Sequence, residues 1–419
     1  MRPSAVETYV RRITGCTDRA SLEQWQIERL RETLRMASKR SRYYTEHLKN
    51  VDPEEIRSYA DLIDIPFTTP EDFRTRPEDW LCVSAPNVQR IVTLKTSGTA
   101  QRPKRVFFTG EELQDTENFF SEGMTELSGP GDKVMILFPC ELPDSVGDLL
   151  AKAVEQRGIP AVREGIPQDF RETARRIREE GCTVLAGIPE HILGLAETLK
   201  EKGIIRSVLI SADTTPAPLI RRISELLGCE VFPHFGMTEL GYGVAVECGA
   251  HSGCHLKECD FLVEVIDPET GLPQAEGKPG EFVFTTLRRT AMPFIRYRSG
   301  DMGYLFGGPC ECGSMIRRIQ PWGGRRSGKR VHVGSRRLTQ WELDEIMFSI
   351  PGVLDYKLRE DADCPGLVVC TAGQADPAEL RAMLSETKRL GTAAAEVLAL
   401  QTCRLTGASG NGMQKRKIT

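Results

Sequence analysis

The residues most able to do chemistry lie in three short runs. Lys95-Thr96-Ser97-Gly98-Thr99-Ala100-Gln101-Arg102-Pro103-Lys104 combines a glycine, small hydroxyl residues and three cations. Backbone N–H groups and hydroxyls of such a loop can surround phosphate oxygens, with Arg102 and Lys104 adding positive charge. A plain hairpin turn has the same composition, and the Gly-Lys-Ser/Thr ending of a Walker loop is missing. Further on, Phe235-Gly236-Met237-Thr238-Glu239 ends in a carboxylate. A carboxylate beside a phosphate site is repulsive unless a cation bridges the two, so Glu239 is a candidate Mg²⁺ ligand. The third run, Tyr297-Arg298-Ser299-Gly300-Asp301, ends in another acid.

A second chemistry comes from sulfur. Of thirteen cysteines, several crowd together: Glu247-Cys248 is followed by His251, Cys254, His255 and Cys259, and Cys310-Glu311-Cys312 forms a tight turn downstream. Thiolates and imidazoles at turns suit tetrahedral Zn²⁺; reduced thiols without metal are the alternative. Cys16, Cys82, Cys140, Cys182, Cys229, Cys364, Cys370 and Cys403 are scattered and read as small buried hydrophobes.

In order and spacing, the three runs resemble the motifs of the acyl-adenylate-forming (AMP-binding) superfamily. The first resembles its phosphate loop, Thr-Ser-Gly-Thr-Thr-Gly-Lys-Pro, with Gln101 where the second glycine is usual. The resemblance implies that Thr96, Ser97, Gly98, Thr99 and Lys104 meet the ATP phosphates. It implies that Phe235, with Gly236 and Met237, receives adenine, that Thr238 contacts the α-phosphate, and that Glu239 holds Mg²⁺. Asp301 would accept hydrogen bonds from both ribose hydroxyls, and Asp213, in Ser211-Ala212-Asp213, corresponds to an adenine-contacting turn. The short length and the cysteines resemble the phenylacetate–coenzyme A ligase branch, whose structural zinc pattern falls here on Cys248, His255, Cys310 and Cys312. Cys254 and His251 are reserve ligands.

Two places depart from the family pattern. At the hinge, Gly324-Arg325 keeps the nucleotide-contacting Arg325, but Ser327 and Gly328 replace the usual acids. The surrounding Arg326, Lys329, Arg330, Arg336 and Arg337 suit the phosphates of coenzyme A, or a solvated basic surface. Near the end, Met413 stands where relatives carry the lysine that stabilises charge in adenylation, and Lys415 is the candidate substitute.

These residues need elements to hold them. Ser21 to His47 reads as one amphipathic helix. From Lys133 to Phe232, apolar strands such as Val134–Phe138, Thr183–Ala186, Ser207–Ile210 and Glu230–Phe232 alternate with helices, which argues for a doubly wound, mostly parallel sheet. After Cys259 the chain turns β-rich, and the last ~90 residues read as a small α+β domain. The expected fold class is α/β: a large N-terminal AMP-binding domain over 1–323, with doubly wound sheet and β-rich subdomain, and a small mobile C-terminal domain over 324–419.

A net charge of −4 gives no reason to expect nucleic acid as a partner, and no apolar run approaches a membrane span. With no apolar signal-peptide segment after Met1 to Thr14, a cytoplasmic location is expected. The expected activity is ATP-dependent activation of a small carboxylic acid, aromatic acids included, as its adenylate, then thioester formation with coenzyme A. The alternatives are a non-coenzyme-A acceptor, or a nucleotide-binding regulatory protein without turnover. Oligomeric state is open, a homodimer included.

Overall fold

The computed structural model describes residues 3–94, 103–325, 330–333, 336–359, 366–373, 375–387 and 399–407. The chain forms two compact units, one from Met1–Glu126 with Phe235–Pro321, the other from Leu127–His234 with Trp322–Thr419. Among the described residues no helix is long and apolar enough to cross a membrane.

In the first unit, the helix Ala5–Thr14 buries Val6, Tyr9 and Val10, an amphipathic spacing inside a stretch whose charges catch the eye first. The expected helix over 21–47 is two helices, Arg19–Arg40 and Arg42–His47. The break has a local cause. Ser41 leaves helical geometry, its Oγ accepts the Tyr44 N–H at 3.2 Å as the cap of the second helix, and it donates to the Asp79 carbonyl at 2.8 Å. The strands Arg90–Leu94 and Lys104–Phe108 pair antiparallel, Leu94 opposite Lys104, so the hairpin delivers both ends of the phosphate-loop sequence. The β-rich part follows: Phe261–Ile266, Gly280–Thr286 and Tyr297–Phe306 are successive antiparallel neighbours, and Ala245–Glu247 pairs with Cys254–Leu256.

The second unit carries the doubly wound sheet. Its strands run parallel in the order Glu230–Phe235, Ser207–Ile210, Val184–Gly187, Val134–Leu137, Ala161–Arg163. Three of them, Val134–Leu137, Val184–Gly187 and Ser207–Ile210, are buried at every position, as expected of strands covered by helices on both faces. Register places Leu137, Gly187, Ile210 and Pro233 side by side, so the residues that follow them share one carboxyl edge.

The C-terminal strands Val353–Arg359, Gly366–Thr371 and Ala399–Arg404 form a separate three-stranded sheet. It joins the core of the parallel sheet together with the helices Gln340–Met347 and Pro377–Glu386: Leu343, Ile346, Val353 and Leu380 share one buried cluster with Ile192, Leu219 and Ile223. Polar ties cross the same seam. Arg222, held by Glu197 of the neighbouring helix at 2.7 Å, donates to the Val353 carbonyl at 2.6 Å, and Thr214 donates to Asp344 at 2.7 Å.

Candidate active site and metal centre

Lys104 opens the second strand of the hairpin, and its side chain draws the three sequence runs together. The ammonium pairs with Glu239 Oε1 at 2.5 Å and donates to the Tyr297 hydroxyl at 3.1 Å. Only 13% of the Lys104 side chain and 7% of the Glu239 side chain are exposed. Burying either charge alone would cost several kcal/mol, so each is tolerated because of the other.

Arg289 locks this arrangement from beneath, a role that sequence reasoning missed. Its guanidinium donates to the Glu239 carbonyl at 3.0 Å and the Phe107 carbonyl at 2.9 Å, and lies 4.6 Å from the centre of the Phe108 ring. Burial pulls its pKa down, against the opposing pull of Glu112. One cation therefore fixes the hairpin strand and the Glu239 turn to each other. The available signal was the pair Arg288-Arg289 inside an otherwise apolar stretch.

The rest of the second motif is tightly wound. Thr238–Leu240 is a single 3-10 turn, after which Gly241 and Tyr242 take φ of 81° and 70°. At Gly243 a Cβ would stand 2.7 Å from the Phe119 ring, so a side chain there would displace the loop. Phe235 packs beside Phe282 and Phe284, with ring centres 5.9 Å from each, and Met237 is buried. Asp301 is buried on the strand Tyr297–Phe306, whose residues alternate in burial. Gly300 before it has φ 76°, and the Asp301 N–H donates to Ser299 Oγ at 3.1 Å.

Asp213 belongs to the second unit, in the turn after Ser207–Ile210, and accepts the Thr214 N–H at 2.7 Å. Its neighbour Ala212 has φ 79°, a left-handed backbone that a non-glycine residue rarely adopts. Arg325 ends the strand Arg318–Arg325. Thr96, Ser97, Gly98, Thr99, Met413 and Lys415 lie outside the described residues.

The sulfur cluster assembles in the first unit. Ligand atoms of Cys248, His255, Cys310 and Cys312 all lie within 4.8 Å of one another. Cys248 and Cys310 sulfurs are 3.8 Å apart, and Cys312 Sγ is 3.5 Å from His255 Nε2. A tetrahedral zinc ion sets two sulfurs about 3.8 Å apart and a sulfur and a nitrogen about 3.5 Å apart. His255 Nδ1 meets the Ile316 carbonyl at 3.2 Å, which aims Nε2 into the cluster. Burial brings the His255 imidazole down to about 4, so it is neutral and able to ligate. Burial alone would push the Cys310 thiol up, but hydrogen bonds from Ser252 and the Cys312 backbone override it and bring it down. The reserve ligands do not join: His251 pairs with Glu247 at 3.0 Å. Cys254 precedes His255 on a strand, so its side chain takes the opposite face.

Two further histidines, unnoticed in the sequence as a pair, sit at the carboxyl edge of the parallel sheet. His234 Nδ1 is 2.8 Å from Ser211 Oγ. His191 is buried in the first turn of the helix Pro189–Leu199. Burial brings both imidazoles down to about 4, with Asp213 opposing it at His191. Unfolding returns them to about 6.5. Between pH 6.5 and 4 the unfolded chain therefore binds more protons, and stability falls as pH falls through that window. We expect His191→Asn to flatten the loss measured by denaturant titration, by up to about 3 kcal/mol between the two ends. An unchanged slope would refute the assignment.

The chain matches the AMP-binding enzyme family over residues 44–287. It is 29% identical to phenylacetate-coenzyme A ligase of Thermus thermophilus over 384 residues, covering 88% of this chain and 82% of the relative. It is 30% identical to phenylacetate-coenzyme A ligase of Pseudomonas putida, covering 73% of this chain and 71% of the relative. Among solved structures, 2-hydroxyisobutyryl-CoA ligase in the postadenylation state with 2-HIB-AMP superposes with a TM-score of 0.80 at 18% identity, covering 98% of this chain and 91% of that one. The fold is thus that of the adenylate-forming ligases, an α/β architecture with a large mixed sheet and a smaller C-terminal one. With that fold, more than half its length matched to the family and phenylacetate-coenzyme A ligases among its relatives, the chain belongs to the AMP-binding enzyme family, in its phenylacetate–coenzyme A ligase-like branch.

Proposed function

We propose that this chain is an AMP-forming acid–thiol ligase: it activates a small carboxylic acid with ATP and passes the acyl group to coenzyme A. The observation that carries the reading is the meeting of Lys104, Glu239 and Tyr297 around one ammonium, since the three residues come from three separate motifs. The relatives named phenylacetate-coenzyme A ligase support it. The aromatic acids lead the panel of substrates to test, and the cytoplasm is the proposed location.

In this reading the acid's carboxylate oxygen attacks the α-phosphorus of ATP, pyrophosphate leaves, and an acyl-adenylate forms. Phe235, with Gly236 and Met237, receives adenine, Asp301 accepts from the ribose hydroxyls, and Thr238 donates to the α-phosphate. Asp213 contacts adenine from the turn after Ser207–Ile210, and Arg325 contacts the ribose or a phosphate. The loop bearing Thr96, Ser97, Gly98 and Thr99 surrounds the β- and γ-phosphates. Oxygen donors suit a hard cation, and Glu239 would hold Mg²⁺, which supplies charge neutralisation on the phosphates. Lys104, beside the Glu239 carboxylate, meets the phosphates from the end of the same loop, and Arg289 orients the Glu239 turn. Lys415 supplies positive charge in place of the missing family lysine. The 324–419 segment is the moving part, which turns about its start before the thiol of coenzyme A attacks the acyl carbon and AMP leaves.

Cys248, His255, Cys310 and Cys312 hold Zn²⁺ in a structural role. The ion would join the 248–255 segment to the Cys310–Cys312 turn, and no step of the reaction needs it.

Acid-dependent ATP–pyrophosphate exchange over a panel of aromatic and short-chain acids tests the activity. At least one acid is expected to stimulate exchange, and Glu239→Gln to slow it about 10²- to 10³-fold. Mass analysis of products with and without coenzyme A identifies the acceptor. ATP binding without exchange on any acid would overturn the ligase reading. For the metal, about one zinc per chain is expected by elemental analysis. Cys310→Ser is expected to lose it and to lower the unfolding midpoint on the order of 5–10 °C. Metal-free wild-type protein of equal stability would refute the zinc site.

A further inference from the structure

Two cysteines that the sequence reading left as scattered hydrophobes form a pair. Cys370 and Cys403 sit directly opposite each other on the parallel strands Gly366–Thr371 and Ala399–Arg404. Their sulfurs are 2.8 Å apart. Cys370 is buried, whereas Cys403 is exposed, which corrects the expectation of burial for it. The spacing separates this pair from the metal cluster. Two thiolates on one tetrahedral zinc stand about 3.8 Å apart, as Cys248 and Cys310 do. At 2.8 Å there is no room for a shared ion between the sulfurs. Neighbouring strands lie about 4.8 Å apart, inside the range of roughly 4.4–6.8 Å between Cα atoms that a disulfide spans.

We propose that Cys370 and Cys403 are a reversible dithiol–disulfide site, closed by exchange with a low-molecular-weight disulfide. The exposed Cys403 thiolate attacks one sulfur of the small disulfide, forming a mixed disulfide and expelling one thiolate. Cys370 then gives up its proton and attacks Cys403 Sγ, and the second small thiol leaves. The balance is one small disulfide and two protein thiols in, one protein disulfide and two small thiols out. Cys403 is the reachable sulfur and Cys370 the resolving one, because burial and the neighbouring Cys403 hold the Cys370 thiol well above the usual range. In the described residues the strand Ala399–Arg404 is the edge of its sheet. It is anchored beyond Cys403 by the Leu405 N–H on the Thr371 carbonyl at 2.9 Å and by the Phe170 N–H on the Thr406 carbonyl at 2.7 Å. Closing the bond turns an edge strand held by hydrogen bonds into one held covalently. A structural disulfide is rare in a reducing compartment, so a reversible couple is the form this pair would take there.

The test equilibrates the zinc-supplemented full chain in reduced and oxidised glutathione mixtures, quenches with acid and alkylates free thiols. Peptide mapping then finds the linkages. The oxidised chain is expected to be lighter by two hydrogens and to carry one Cys370–Cys403 link. Reductant should reverse it, and amide exchange over 399–405 should slow about tenfold or more on oxidation. The exposed Cys403→Ser variant, which leaves the core untouched, should give no link, and Cys370→Ser should stop at stable glutathione on Cys403. Wild-type protein that stops at the glutathione adduct, with Cys370 still open to alkylation, would overturn the proposal. So would oxidation confined to Cys248, Cys310 and Cys312.

Discussion

Burying a carboxylate is costly unless a cation or hydrogen-bond donors meet it, and much of the first unit is organised around pairing such acids with cations. Glu258 is fully buried between Arg19 and Arg317 at 2.6 and 2.7 Å. Glu264 meets Arg296 at 2.8 Å, Glu281 meets Arg298, and Asp260 meets both Lys257 and Arg288. Each acid would lose several kcal/mol of hydration alone. Lys104 and Glu239 repeat the device at the one place where three motifs converge. There the pairing has a second consequence. It fixes a carboxylate close to the end of a phosphate-loop sequence without letting water disperse its charge. Arg289, which grips the same turn by its backbone carbonyl, keeps that carboxylate from drifting.

The second unit solves a different problem. Three of its parallel strands are buried at every position, so they offer little chemistry along their length, and function is left to the strand ends and turns. The left-handed Ala212 and the neutral histidines at that edge are local departures of the kind that collect at functional edges of such sheets. The C-terminal sheet packs into the same apolar core, while its edge strand keeps an exposed sulfur.

Much of this was legible in the sequence because it was written in short-range patterns. Apolar runs at 134–138, 183–186 and 207–210 announced strands, and the motifs ending in Glu239 and Asp301 announced acids at turns. The crowding of cysteines and histidines was legible because it is local, but the choice of Cys248, His255, Cys310 and Cys312 among them came from the resemblance to the phenylacetate–coenzyme A ligase branch. What escaped was non-local. Ser41 breaks a helix because the Asp79 carbonyl waits for its hydroxyl, and no periodicity at 21–47 reveals that. Arg289 acquires its role only when Phe107 and Glu239 are brought to it. Cys370 and Cys403, far apart in sequence, become partners only through strand register. His251 and Cys254 had the right chemistry for metal, but an ion pair claims the first and strand alternation turns the second away.

An acid–thiol ligase of the proposed kind must hold a mononucleotide against the first unit's buried acids. The most direct measurement is calorimetric titration of the metal-replete chain with AMP, beside Asp301→Ala and the remote Cys403→Ser. Removing a charged hydrogen-bond acceptor costs about 1.5–3 kcal/mol, so Asp301→Ala should bind at least about tenfold more weakly, with Cys403→Ser unchanged. Equal affinity in Asp301→Ala, or no heat from the unaltered chain, would contradict it.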